Sequence, residues 1–276
     1  MLRHYLKTAL RNLRYQRFYA LLNILGLAVG LAYCVMILLY VQDELSYDRF
    51  HDKVERIYRL NEFIEDDDVG ERSASMPFPV APALENDYPA QVAAAVRFFN
   101  YQAPTLTLAR TDEPDRKFNE PRVFFVDSGL FEMFDYQLLQ GDPHEVLQEP
   151  NNLLLTPAMA RKYFPNGNAL GQTLRFQGQA DLKVAGIIAA PPAQSHLPFD
   201  ALISFQTLEG LYQQENFIPF NNWYWNPCWT YVLLEEGASP QKLEAQLPDF
   251  VQKYFYASIK DDITLHLQPL TRIHLF

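Results

Sequence analysis

Residues 20–41 read ALLNILGLAVGLAYCVMILLYV, twenty-two residues without a charge and with one strongly polar side chain, Asn23. At about 1.5 Å rise per residue, such a helix spans the roughly 30 Å hydrocarbon layer of a bilayer. It also satisfies its own backbone hydrogen bonds, which lipid cannot do for it. A buried core helix seldom needs so long an uncharged run. A cleaved secretory signal would carry a shorter apolar region, about 7 to 15 residues, ending at a small-x-small site. Here the run ends in Leu38-Leu39-Tyr40-Val41-Gln42. The stretch predicts one retained transmembrane helix over 20–41.

Charge on either side orients that helix. Arg3, Lys7, Arg11, Arg14 and Arg17 precede it with no acid among them, and Asp43, Glu44 and Asp48 follow. The positive-inside rule then puts the N-terminus in the cytoplasm and everything after Val41 across the membrane. Setting those five basic residues aside leaves 18 Lys and Arg against 33 acids, a net −15 for the outer part. That surface suits a soluble periplasmic or extracellular domain and argues against nucleic acid as a partner. Within residues 1–19, Leu2, Tyr5, Leu6, Ala9, Leu10 and Leu13 share one helical face and Arg3, Lys7, Arg11 and Arg14 the other. This predicts a basic amphipathic helix in the inner headgroup plane, the alternative being a few charges on a disordered tail. Cys34 falls in the lipid span and Cys228 outside it, so no disulfide framework holds the outer part and a packed core must.

Two strand–helix–strand patterns bound the outer part. The first runs from Arg56-Ile57-Tyr58-Arg59-Leu60-Asn61-Glu62-Phe63, an alternating strand, past an acidic turn at 65–68. A proline-rich entry at 77–82 leads to a helix near 83–87, and a strand follows over 92–101. The second begins at Trp229-Thr230-Tyr231-Val232-Leu233-Leu234 and turns at Glu235-Glu236-Gly237. Its helix starts at Ser239-Pro240, a capping hydroxyl with proline at the first helical position, and keeps its spacing to Tyr254; a strand closes it over 263–270. Between the two lie short strands at 123–126, 151–155 and 199–205, a helix opening at Thr156-Pro157, and a hairpin around Gln177-Gly178-Gln179. The expected fold is α+β: an amphipathic helix (1–19), a membrane helix (20–41), and a domain of two βαβ-like units. Its halves cover 42–118 and 206–276, with a small α/β subdomain inserted over 119–205.

Catalytic chemistry finds little support. Gly167-Asn168-Ala169-Leu170-Gly171-Gln172-Thr173 has the wrong spacing and no lysine for a phosphate loop, and reads as a turn. His4, His51, His144, His196, His266 and His274 are scattered, with no i, i+4 pair for a metal. Asp48, His51 and Asp52 could hold a cation just outside the membrane, but a solvated, capping turn is the favoured reading. The acidic run at 65–68 lacks the alternation of a calcium loop and reads as a solvated hairpin tip. No Gly-x-Ser-x-Gly elbow exists, and no carboxylate pair stands out. The expectation is no catalytic, cofactor-binding or metal-binding residue. All three tryptophans fall in Trp223-Tyr224-Trp225 and Trp229; they could form a ligand surface, but a core or protein interface is the favoured reading.

Several motifs then resemble one family. Ala9-Leu10-Arg11-Asn12-Leu13, Asn23-Ile24-Leu25-Gly26-Leu27, Asp43-Glu44-Leu45-Ser46-Tyr47-Asp48-Arg49-Phe50-His51 and Arg56-Ile57-Tyr58-Arg59 are similar to the start of FtsX-like ABC-transporter permeases with a MacB-like periplasmic core domain. So are Ala160-Arg161-Lys162-Tyr163-Phe164-Pro165, Val184-Ala185-Gly186-Ile187-Ile188, Ser195-His196-Leu197-Pro198-Phe199-Asp200 and the closing Leu267-Gln268-Pro269-Leu270-Thr271-Arg272-Ile273-His274-Leu275. The resemblance implies a permease subunit without chemistry of its own, in the bacterial inner membrane with its main domain periplasmic. A separate cytoplasmic ABC ATPase would handle ATP. A second permease copy or homologue would complete a dimer, in some members with a periplasmic adaptor and an outer-membrane channel. Such proteins serve efflux or lipoprotein and envelope transport. The family continues into further membrane helices, so a chain closing at Phe276 is expected to be a fragment or truncated form. Gly26 and Gly30 form a Gly-x-x-x-Gly pair that would let a partner helix approach. A single-span receptor sensing a ligand through Trp223–Trp229 is the competing reading, and a membrane-anchored hydrolase the third.

Overall fold

The computed structural model describes residues 4–5, 7–8, 11, 15–66, 69–214 and 219–275. The chain forms two compact units, Met1–Ser46 and Tyr47–Phe276. In the first, helix α1 (Arg17–Glu44) extends beyond the apolar run at both ends. Its added residues Arg17, Phe18 and Tyr19, and Gln42, Asp43 and Glu44, are those that suit the headgroup layers. Its most apolar 18 residues average a hydropathy of 2.5, and every one of them is exposed, as a helix surrounded by lipid requires. The basic amphipathic helix expected over 1–19 falls largely outside the described residues.

The second unit is built on one mixed sheet of fourteen strands. Its four-strand core consists of β1 (Ile57–Asp66), β4 (Val92–Phe99), β13 (Cys228–Leu234) and β14 (Ile263–Pro269), in the order β14-β1-β13-β4. All three adjacent pairs are antiparallel. Strands β1 and β4 therefore run parallel with β13 between them, and β13 and β14 run parallel with β1 between them. Each sequence half is a split βαβ unit, and the halves interleave instead of standing side by side. The expected duplicated layer is thus a single sheet in which each half supplies the strand that fills the other's gap.

Alternation along these strands feeds two cores. Leu60, Val92, Val232, Leu234 and Leu265 point toward helices α2 (Val80–Asp87), α6 (Pro240–Glu244) and α7 (Leu247–Tyr254), meeting Leu84, Leu247 and Phe250. Ile57, Val96, Phe98, Tyr231 and Leu233 face the other way and pack with Leu130, Phe134 and Leu202. The Ser239 hydroxyl accepts from Lys242 N at the start of α6, with Pro240 in the first turn. The helix read as continuous to Tyr254 breaks at 245–246. Pro248 has no N–H to continue the ladder, so it restarts as α7.

The inserted part continues the same sheet. Strand β7 (Val123–Val126) pairs with β4, followed by β12 (Ala201–Ser204), β9 (Asn152–Leu155), β11 (Ala180–Ile188) and β10 (Thr173–Phe176). Helix α4 (Pro157–Tyr163) opens as its Ser/Thr-Pro signal requires, with Thr156 accepting from Met159 N. The hairpin turn between β10 and β11 holds Gln177 and Gly178 at φ of 49° and 73°. Beyond β10 lies β5 (Leu106–Arg110), which precedes the insert expected over 119–205 but pairs with β10, and then β6 (Lys117–Glu120), which straddles that boundary and pairs with β5. Likewise Leu208, Leu211 and Tyr212 of helix α5 (Thr207–Gln214) join the insert's core with Phe125 and Phe176, although they follow residue 205. Among the strands that the sequence pattern does not mark are β2 (Val69–Ser73), which pairs back on β1, and β8 (Leu138–Gln140), which pairs with β11. At that last crossing a Cβ on Gly186 would sit 2.7 Å from Gln140 O, so only glycine lets the strands approach.

Candidate functional site: a buried polar joint at the start of the outer domain

Asp48, four residues beyond the end of α1 in the chain, is fully buried. Its φ of 58° is left-handed, a conformation aspartate tolerates better than most residues. The bend turns its backbone N–H onto Gln194 O at 2.8 Å, while Oδ1 accepts from His196 N at 3.2 Å. Asp48 Oδ2 lies 2.8 Å from His196 Nδ1, within ion-pair reach but off the line of a straight hydrogen bond. The other ring nitrogen, Nε2, is 2.8 Å from the hydroxyl of Tyr231 on β13. Three segments far apart in sequence are thus tied together: the entry segment, the loop leaving the insert, and a central strand.

His51 makes the second tie. It is 2 % exposed, packed between Phe50, Phe134 and Tyr136, and its Nδ1 accepts from Asp135 N at 3.0 Å. Burial pushes its pKa down from the ordinary 6.5 to about 4, against the opposing pull of Asp48 and Asp135. At neutral pH the ring is uncharged, and Nδ1 is the lone-pair nitrogen that the backbone donor needs. Asp52, by contrast, is exposed, and its N–H donates to Asp135 Oδ2 at 2.7 Å. The solvated turn expected at Asp48, His51 and Asp52 is corrected on this point: two of the three are core residues, because their partners arrive from 135–136 and 194–196.

Residues 270–274 pack here as well. Tyr47 stacks face to face on His274, with ring centroids 3.4 Å apart. Leu270 and Ile273 share a hydrophobic cluster with Phe50 and Val54. Three of the motif segments, 43–51, 195–200 and 267–275, therefore converge. Tyr231, Asp135 and Tyr136 complete the joint without having drawn notice in the sequence. Tyr231 reads there simply as one residue of the strand-like run 229–234.

An Asp–His–Tyr series has the look of a catalytic relay, but the arrangement has no room to act as one. Tyr231 is completely buried, and burial raises its pKa so that it stays protonated. No substrate can reach its oxygen, so the series holds segments together. Among the described residues no group of three or more His, Cys, Asp or Glu side chains stands close enough to hold a metal. The segment 167–173 forms the turn leading into β10. The tryptophans are packing residues: Trp223 stacks on Tyr254 at 4.6 Å, Trp225 packs on Phe78, Phe99 and Tyr212, and Trp229 lies against Phe124 on the other face.

The described chain thus joins one apolar helix of membrane-spanning length to an interleaved α+β domain with a buried polar joint. Residues 20–250 match the family described as the MacB-like periplasmic core domain, and the chain belongs to it. It carries the periplasmic domain of MacB-like ABC-transporter permeases and is not an enzyme. Three solved structures share the fold. A domain described as part of a permease protein from Porphyromonas gingivalis has a TM-score of 0.64 at 21% identity, over 79% of this chain and 92% of that one. The periplasmic region of MacB from Actinobacillus actinomycetemcomitans has 0.51 at 14%, over 75% and 87%. The extracellular domain of the noncanonic ABC-type transporter YknZ from Gram-positive bacteria has 0.52 at 14%, over 76% and 98%. No curated protein matches the sequence.

Proposed function

We propose that this chain is the first membrane helix and outer domain of a MacB/FtsX-like permease subunit, passing ATPase-driven motion through the membrane to the outer domain. The observation that carries the reading is the buried joint at Asp48, His51, His196 and Tyr231. A solvated linker after the helix would dissipate motion of the chain. A segment locked into the core within four residues transmits it. The family match running from residue 20 in the helix to residue 250 in the domain supports the same reading.

The remaining parts follow from that assignment. The chain sits in the plasma membrane with Arg3 to Arg17 on the cytoplasmic side and the domain outside. ATP belongs to a separate cytoplasmic ATPase. A second permease copy completes the assembly, and an adaptor and outer-membrane channel join it where the envelope has an outer membrane. Efflux or envelope and lipoprotein transport is the role.

Co-expression of the protein with an ABC ATPase from the same organism is the test. The two should co-purify, and the complex should turn over ATP faster than the ATPase alone. Asp48→Ala should reduce transport while leaving the association intact. Failure to associate under any detergent or lipid condition overturns the reading. Alkaline phosphatase fused after Ser46 should be active, and fused at Met1 inactive; the reverse pattern overturns the orientation.

A further inference from the structure

Glu62 sits where a charge does not belong. On β1 it follows Leu60 and precedes Ile64 on the face that packs against the helices, and it is 2 % exposed. Its neighbour across β14 is Leu265; His266 pairs with Asn61 and so points to the other face. Across β2 it pairs with Ser73, whose nearby hydroxyl favours the ionised form, while the charge of Glu71 opposes it. From the tryptophan segment Asn226 Nδ2 donates to Glu62 Oε1 at 2.6 Å. Among the described residues no cation forms an ion pair with it.

Two buried oxygens of this pair have no donor, Glu62 Oε2 and Asn226 Oδ1. If Glu62 were ionised, both would be lone-pair acceptors sealed from water, each costly. One proton satisfies both. We infer that Glu62 is a neutral carboxylic acid whose Oε2–H donates to Asn226 Oδ1 while Oε1 accepts from Asn226 Nδ2, a two-bond ring that latches the tryptophan segment to the sheet and opens when the acid ionises. Burial is also the main reason its pKa is raised from 4.5 to about 7.

The latch sits at a junction. Trp223, on one side of Asn226, packs into the core of the four-strand part; Trp225, on the other, packs into the core of the insert and donates its indole N–H to Gln102. Opening the ring frees a segment that is seated in both cores, so the proton concentration around the domain sets how firmly the insert is held. This device is independent of the transport reading and stands or fails without it.

Two of the chain's three tryptophans, Trp223 and Trp225, flank Asn226, so its intrinsic fluorescence reports the latch. Titration of the full chain in detergent from about pH 5 to about pH 9 should show an emission change with a midpoint near 7. Glu62→Gln should abolish that midpoint and hold the low-pH emission throughout, because a glutamine amide completes the same ring. Histidine titrations elsewhere would persist in that variant and are thereby separated. Infrared difference spectra give a second readout independent of the variant's folding. The wild type below the midpoint should show a protonated, doubly hydrogen-bonded carboxyl band that disappears above it. The same midpoint in wild type and Glu62→Gln, or no protonated carboxyl band in mildly acidic buffer, overturns the inference.

Discussion

The joint around His51 and the latch around Glu62 are both buried titratable groups kept neutral, yet they respond to acid in opposite directions. His51 is a base whose folded pKa is depressed from 6.5 to about 4. Between those values the unfolded chain binds the proton that the folded chain refuses, so the joint's contribution grows as pH rises from about 4 to about 6.5. Glu62 is an acid whose folded pKa is raised from 4.5 to about 7. Over that interval the folded chain holds the proton, so the latch's contribution falls as pH rises. Each shift corresponds to about 3 kcal/mol. The two nearly cancel across mildly acidic pH, and a flat stability profile would conceal both. Burial alone does not say how a protein answers acid; the sign of the group's charged form does.

The strongest way to break the comparison is to remove the joint's anchor. Asp48→Ala orphans the His196 N–H and forces alanine into the left-handed region, and should cost about 3–5 kcal/mol in denaturant unfolding of the full chain. Asp48→Asn, which keeps an acceptor and tolerates the same φ, should recover more than half. Next, Glu62→Gln should unmask His51: stability should climb by about 3 kcal/mol from about pH 4 to about pH 6.5, where the wild type stays nearly level. His51→Asn offers the mirror image, with an overall loss from the altered packing and a decline of about 3 kcal/mol from about pH 4.5 to about pH 7. If both variants keep the flat wild-type profile, neither group has the assigned protonation state. The smallest effect belongs to Tyr231→Phe, which removes one hydrogen bond to His196 and should lower stability by about 1 kcal/mol at any of these pH values.

Much of the molecule is legible in local pattern, and the illegible parts share a cause. The apolar run at 20–41, the alternation in 56–63, the strand-like run at 229–234, and the hydroxyl-proline starts at Thr156 and Ser239 each encode their own structure within a few residues. Strand β2, Val69-Gly70-Glu71-Arg72-Ser73, does not. Its glycine and charges give no alternation, and it is a strand because β1 offers it an edge. The interleaving of the two halves is similarly invisible, since it depends on which strand fills the gap between two others. Asp48 and His51 read as solvated because nothing within ten residues hides them; His196 lies 148 residues away. Glu62 is no exception. In the sequence it reads as an ordinary polar residue of an alternating strand, and only the structure shows it buried beside Asn226.

Where the four-strand part meets the insert, β4 and β7 share only two paired positions, Phe98 with Val126 and Phe99 with Phe125. Six positions join β13 to β4 on one side and four join β12 to β7 on the other. The seam is clasped at its end by Arg97, which holds both carboxylate oxygens of Asp127 at 2.7 and 2.8 Å and lies over the Phe205 ring. A short ladder with a clasp resists sliding, because the bidentate pair fixes the register, but offers few rungs against bending. At this seam the broad sheet is joined by its backbone at two positions only, and Arg97 holds those two in register.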